Sequence, residues 1–228
     1  MKKFLTALLC LAALAGASTA HAYQVKRSTL VDRLDTCEAI LQDLQSSTKT
    51  AIPTDILRRA RGIVIVNQVQ AGFIFGVKDG YGVVMIKKAN GRWSLPVLVA
   101  AGELSFGLQF GANAIESVMV VTDDNTPRIM FNQRFNVGVD AKAVAGPHAA
   151  ETERFNKELL NAPVLVYTKT RGLFAGATVK TGWLQRDDTT NFTLYNTSYT
   201  MPELLYSDWV QPIPEVAFLV NYVQKIAP

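Results

Sequence analysis

An Asn-Gly pair, Asn90-Gly91, between two apolar runs restricts the fold of this chain more than any other feature of the sequence. The flanking runs, residues 83–86 and 93–97, contain β-branched and aromatic side chains. A two-residue turn between strands needs positive φ at both central positions, which Asn and Gly adopt most readily. The sequence therefore predicts a β-hairpin at this pair.

Further short apolar runs are separated by glycine or by polar turns, such as the predicted turn at residues 78–80. These runs do not alternate regularly with helical segments, so an antiparallel sheet is favoured over a parallel one. The predicted strands include residues 63–66, 117–122, 128–131, 164–168 and 193–196.

Helical patterns occur at both ends of the chain. A stripe of apolar residues at helical spacing predicts a helix over residues 28–46, and a short second helix is predicted to begin at Pro53. Residues 151–160 and 214–226 show similar faces. No linker divides the sequence. Together the patterns predict a single α+β domain, in which an antiparallel sheet forms a barrel or sandwich with flanking α-helices.

The N-terminal residues have the pattern of an export signal. Lys2 and Lys3 precede an apolar stretch over residues 4–15, and Ala20-His21-Ala22 is typical of a cleavage site. We therefore expect a signal peptide at residues 1–22, a folded domain at 23–228, and a periplasmic or secreted protein that is soluble or peripheral on a membrane. An uncleaved anchor helix is the less favoured alternative.

Charge and cysteine content exclude several classes of protein. Residues 23–228 contain 21 basic and 19 acidic side chains, a mild bias that does not indicate a nucleic-acid partner. Cys37 is the one cysteine left after residue 22, so an internal disulfide is not expected. His148 is likewise the one remaining histidine, which argues against a multi-histidine metal site. We expect no metal and no cofactor.

Catalytic motifs are absent from the sequence. The segment around Ser105 lacks the Gly-x-Ser-x-Gly spacing of a nucleophile elbow, so a hydrolase built on Ser105 and His148 is the weakest hypothesis. The dense glycines lack the motif of a phosphate-binding loop, and close strand packing explains them better. We therefore expect no enzymatic activity.

Clusters of basic residues favour binding of an anion. Guanidinium groups bind phosphate in a bidentate manner, and each cation near an anionic surface contributes about 1 kcal/mol. Ordinary solvated charge is the alternative for any single residue. The arginines at 58–61 form the strongest cluster. The candidate lipid-binding residues are Arg58, Arg59, Arg61, Lys87, Lys88, Arg92, Lys169 and Arg171.

Longer segments resemble a known family. Residues 60–66, 70–121 and 171–195 carry a distinctive glycine spacing, with Trp93-Ser94-x-Pro96 in the second segment and Gly-Leu-Phe-Ala-Gly in the third. In these features the chain resembles the SYLF (Ysc84-like) family. The resemblance implies a lipid-binding module. Eukaryotic members bind phosphoinositides, and a yeast member also binds actin and actin regulators.

Two functions stay open at this stage. The first is an exported, non-enzymatic protein that binds anionic phospholipids or a membrane surface. Export makes actin an unexpected partner. The second is an envelope structural or protein-interaction module without a lipid ligand. Its protein partner would be contacted by the aromatic C-terminal segment, which contains Tyr199, Tyr206 and Trp209.

Overall fold

The computed structural model describes residues 25–71, 75–106, 113–130, 134–149, 159, 161–170 and 182–228. The predicted signal peptide, almost all of the helix predicted over residues 151–160, and Arg171 lie outside these residues.

One eight-stranded sheet organises the described residues. Its strand order is β5-β8-β3-β2-β1-β4-β7-β6, and every pair is antiparallel except the parallel pair β6–β7. The sheet curls into a half-barrel with flanking helices, which confirms the predicted α+β class. The strands are β1 Gly62–Ala71, β2 Phe75–Ile86, β3 Val97–Phe106, β4 Asn113–Val121, β5 Arg134–Asn136, β6 Ala143–Ala145, β7 Val164–Thr170 and β8 Trp183–Arg186.

Helices pack against this sheet. The longest, α1, crosses β1, β2 and β4 and also contacts helices α4 and α6. None of the described helices is both long and apolar enough to cross a bilayer. The helices are α1 Arg27–Gln45, α2 Thr54–Arg58, α3 Thr126–Ile129, α4 Asp188–Tyr195, α5 Met201–Tyr206 and α6 Ala217–Ile226, the last preceded by a 3₁₀ turn at Pro214–Val216.

The core is continuous across both faces of the central strands. Successive side chains of a strand point to opposite faces, yet all four residues from Ile63 to Val66 are at most 2% exposed. Both faces are therefore covered at this end of β1. The apolar stripe of α1 is buried as its spacing predicts, and burial raises the pKa of the Cys37 thiol to about 12.

Three local predictions were wrong. Residues 78–80 do not turn, because β2 passes through them in register with β1. Residues 128–129 of one predicted strand lie in α3 and residues 193–195 of another lie in α4, while residue 131 lies outside the described residues. Side-chain caps explain both helices: Asp123 accepts the N–H of Asn125 and Thr126, and Asp187 accepts that of Thr190.

The Asn-Gly turn forms, with a different geometry from the predicted one. Gly91 has φ +78°, while Asn90 is not among the described residues with positive φ. The Gly91 N–H donates to the Lys88 carbonyl at 2.9 Å, and the Lys88 N–H donates to the Arg92 carbonyl at 2.8 Å. A loop of this longer kind needs one left-handed residue rather than two. It places Lys88 and Arg92 side by side.

Candidate functional site

The first cationic cluster lies where three strand ends meet. The Arg61 N–H donates to the Val121 carbonyl at 2.7 Å, and the Arg61 carbonyl accepts the N–H of Lys87 at 2.8 Å. Gly62, the first residue of β1, is in register with Ile86 and with Val121. Antiparallel pairing therefore brings the start of β1 beside the ends of β2 and β4.

A groove of about 620 Å³ opens at this end of the sheet. Four cations and two carboxylates border it, and we call it the cationic groove. Its lining residues are Arg61, Ile86, Lys87, Lys88, Ala89, Asn90, Asp124, Pro127, Arg128, Tyr206 and Asp208.

Lys88 is a largely enclosed cation of this groove. Its side chain is 14% exposed, and its Nζ donates to the Ser207 carbonyl at 2.6 Å and to the Asp208 carboxylate at 2.9 Å. Arg92 lies 3.6 Å from the same carboxylate. The hydrogen bond and charge of Lys88, followed by the charge of Arg92, lower the pKa of Asp208. Asp208 therefore stays ionised at neutral pH between two cations.

The arginines at 58–61 are held more loosely, and of these three Arg61 alone lines the groove. Arg61 lies 3.7 Å from Asp124, and Arg58 lies 3.2 Å from Asp55, with all four side chains more than half exposed. Arg59 follows α2 and is also exposed. Exposed ion pairs contribute little to stability, so an incoming phosphate can replace these carboxylates at small cost.

Lys169 does not join the groove. It is in register with Glu116, five residues along β4 from Val121, and this separation corresponds to about 17 Å along the strand. Its Nζ pairs with Asp43 of α1. The structure thus brings together Arg61, Lys87 and Lys88 and places Arg92 beside them. It separates Lys169, and Arg171 lies outside the described residues.

Sequence reasoning missed Arg128 and named Tyr206 as a contact for a protein partner rather than as a residue of this groove. Arg128 lies on α3, borders the groove and hydrogen-bonds the side chain of Tyr206. Partial burial raises the pKa of Tyr206, and the Arg128 charge opposes that rise. The available signal was Asp123 followed by Thr126-Pro127, since an acidic cap before a proline indicates the start of a helix.

The catalytic alternative finds no supporting geometry. Four strands separate β3, which contains Ser105, from β6, which precedes His148. The Nδ1 atom of His148 lies 3.0 Å from the Thr50 carbonyl oxygen, and the His148 ring packs edge-on against the Tyr167 ring. Among the residues that the structure describes, no group of His, Cys, Asp and Glu is arranged to hold a metal ion.

Comparison with known proteins identifies relatives of this chain. An SH3 domain-containing protein of Schizosaccharomyces pombe is 29% identical over 71% of the chain and 38% of the relative. LAS seventeen-binding protein 3 of Saccharomyces cerevisiae is 28% identical over 77% of the chain and 39% of the relative. Human SH3 domain-containing YSC84-like protein 1 is 25% identical over 71% of the chain and 47% of the relative.

The chain spans less than half the length of these curated relatives. No solved structure matches it significantly. The family model Ysc84, described as "Las17-binding protein actin regulator", matches residues 102–226, which is more than half of the chain. This chain therefore belongs to the Ysc84 (SYLF) family.

Proposed function

We propose that this chain is a non-enzymatic binding protein that holds anionic phospholipid headgroups in the cationic groove. The observation that carries the proposal is the convergence of Arg61, Lys87, Lys88 and Arg128 on one groove of about 620 Å³. The formal net charge of the chain is only +4, yet these four cations lie together at one end of the sheet.

The chemistry of the groove suits a phosphate group. Lys88 is largely withdrawn from water, and a partly desolvated cation gains more from an anion than an exposed one. The arginines around it can bind phosphate oxygens in a bidentate manner. Their present carboxylate partners are exposed and weakly held, so a headgroup competes with them on favourable terms.

Location is part of the proposal. The expected signal peptide would send the folded domain to the periplasm or the outside of the cell, where it would meet the surface of a membrane. Actin would then not be its partner, although the family description names an actin regulator.

A second candidate function is a protein-interaction module of the envelope. The family description "Las17-binding protein" and the name of the budding-yeast relative favour it, because both name a protein partner. In this alternative the chain would contact another protein without a lipid ligand.

Vesicle co-sedimentation tests the first function. We expect the protein to bind vesicles of equal parts phosphatidylglycerol and phosphatidylcholine at low salt, and to bind less at high salt. Replacing Arg61, Lys87 and Arg128, which all line the groove, together by alanine should lower the partition constant about 100-fold, from about 1 kcal/mol for each cation.

Lys169→Ala is the matched control, because it removes one cation at about 17 Å from the groove end. It should bind vesicles as the wild type does. Equal binding by the triple variant and the wild type, or no binding at either salt concentration, would contradict the proposal.

Pull-down from envelope extracts separates the two functions. If the triple variant loses vesicle binding and keeps the same protein partners, lipid binding is the function of the groove. If it keeps vesicle binding and loses a protein partner, the second function is favoured.

A further inference from the structure

Four large apolar side chains are exposed among the described residues, and two of them belong to one end of the molecule. Tyr206 borders the cationic groove, and Trp209 directly follows Asp208, which also borders it. The indole of Trp209 is 63% exposed. Single exposed apolar residues are ordinary, so position matters here rather than exposure alone. The four residues are Val139, Tyr206, Trp209 and Phe218.

The backbone around Trp209 is held in place on both sides. On one side, Lys88 Nζ donates to the Ser207 carbonyl at 2.6 Å and to Asp208 at 2.9 Å. On the other side, Val210 packs against the hydrophobic core. Trp209 is therefore an indole that fixed neighbours hold in water beside a cluster of cations.

We infer that Trp209 is an interfacial anchor, whose indole enters the boundary between headgroups and acyl chains of an anionic bilayer while the adjacent cationic groove holds lipid phosphates. This inference rests on the proposed function. Tryptophan favours that boundary because its ring is apolar and its N–H is polar. Insertion of apolar area and attraction of cations to anionic lipid reinforce each other at membrane surfaces.

The charges next to the indole fit this occupant. A bare carboxylate beside Trp209 would be repelled by an anionic surface. Asp208 is instead flanked by Lys88 at 2.9 Å and Arg92 at 3.6 Å, so the local charge remains positive. A bilayer of anionic lipid is therefore the complementary partner.

Tryptophan fluorescence reports insertion separately from binding. Trp93 is 5% exposed and donates its Nε1 proton to the Ala227 carbonyl, and Trp183 is half-buried beneath Arg134. Trp209 is thus the tryptophan whose surroundings change most on docking. With vesicles of phosphatidylglycerol and phosphatidylcholine, we expect emission to move to shorter wavelength and to be quenched by brominated acyl chains. Trp209→Phe should abolish both signals and retain most vesicle binding.

Trp209→Ala should lower the vesicle partition constant about tenfold, because it removes the apolar area that inserts. Phe218→Ala is the matched control. Phe218 is 75% exposed and lies at the start of α6, near the pair of Glu215 with Arg27. Unlike Trp209, which directly follows Asp208, it has no chain neighbour that lines the groove. The control should bind vesicles as the wild type does.

The outcomes distinguish this inference from the function on which it rests. If Trp209→Ala binds like the wild type and the wild-type emission does not shift with vesicles, while the triple variant of the groove cations still loses binding, the anchor is overturned and the groove stands. If Trp209→Ala loses an envelope protein but keeps vesicle binding, Trp209 is a protein contact and the anchor is overturned. Vesicles that bind none of the proteins would overturn both.

Discussion

At the scale of single residues, the side chain of Asn191 makes the backbone hydrogen bonds that a neighbouring strand would otherwise make. It lies on α4 and is fully buried. Its side-chain amide donates to the Leu98 carbonyl at 2.7 Å and accepts the Leu98 N–H at 2.9 Å. The partner strand β8 pairs with β3 only from Val99 to Gly102, so Leu98 has no strand neighbour on that side. The amide completes the ladder where β8 ends.

Asn191→Ala should lower the free energy of unfolding by about 3 kcal/mol, because it leaves a buried N–H and carbonyl without partners. Urea denaturation followed by circular dichroism measures the change. Asn125→Ala is the control, since Asn125 is exposed and its side chain makes no capping bond to α3. Its effect should stay within about 0.5 kcal/mol. Equal losses for the two variants would show that Asn191 does not act as a strand substitute.

At the scale of elements, two glycines allow β1 and β2 to approach closely. A Cβ added at Gly82 would lie 2.5 Å from the Ile65 carbonyl oxygen, and one at Gly80 would lie closer still to that of Asn67. Real side chains do not tolerate such contacts with backbone atoms. Gly80 and Gly82 therefore allow the two strands to pack closely. This is the role that the sequence predicted when it showed no phosphate-binding-loop motif.

Gly82→Ala should cost about 3 kcal/mol of unfolding free energy, because the added methyl group overpacks a backbone contact. Gly91→Ala is the comparison variant, because it adds the same methyl group at a position with different surroundings. Gly91 has φ +78° and nothing within 4 Å of an added Cβ, so we expect a loss of about 1 kcal/mol from backbone strain alone. Thermal and urea unfolding of both variants provide the measurement. A larger loss for Gly91→Ala than for Gly82→Ala would contradict this account.

At the scale of the whole molecule, the groove combines four cations and two carboxylates from distant parts of the chain. Arg61 directly precedes β1, Lys87 directly follows β2 and Arg128 lies on α3, and the meeting of strand ends places them together. Asp124 and Asp208 oppose them from the same groove. Any anion that binds must compete with these carboxylates.

Asp208→Asn should raise the affinity for anionic vesicles about fivefold, since it removes one negative charge near the surface and releases Lys88. The lowered pKa of Asp208 keeps it ionised through neutral and mildly acidic pH. The stability from this pair is present above the ordinary pKa range of aspartate, and it is lost as pH falls through the lowered value. Co-sedimentation from pH 5 to 8 should therefore show the fivefold difference throughout.

Asp43→Asn is the control for this experiment, because Asp43 pairs with Lys169 away from the groove. It should leave vesicle affinity unchanged. An affinity for Asp208→Asn equal to or below that of the wild type would show that Asp208 does not compete with the lipid.

Local patterns in the sequence were enough to predict several elements. The helix predicted over residues 28–46 is α1 at Arg27–Gln45, and the segment 214–226 forms a 3₁₀ turn followed by α6. The runs at 63–66 and 164–168 lie in β1 and β7. These elements have apolar periodicities that neighbouring residues alone establish. Residues 128–131 and 193–196 misled the prediction, because side-chain caps outweighed their strand-forming composition.

Sequence patterns predicted Arg61, Lys87 and Lys88 as candidate site residues but not Arg128, and they also predicted the hairpin that carries Lys88. Which cations share a groove was decided only by the tertiary structure. Strand order and register join Arg61 to Lys87, bring Arg128 beside them and separate Lys169. Periodicity and turn chemistry act between neighbours in the chain, whereas pairing of distant strands depends on how the whole core packs.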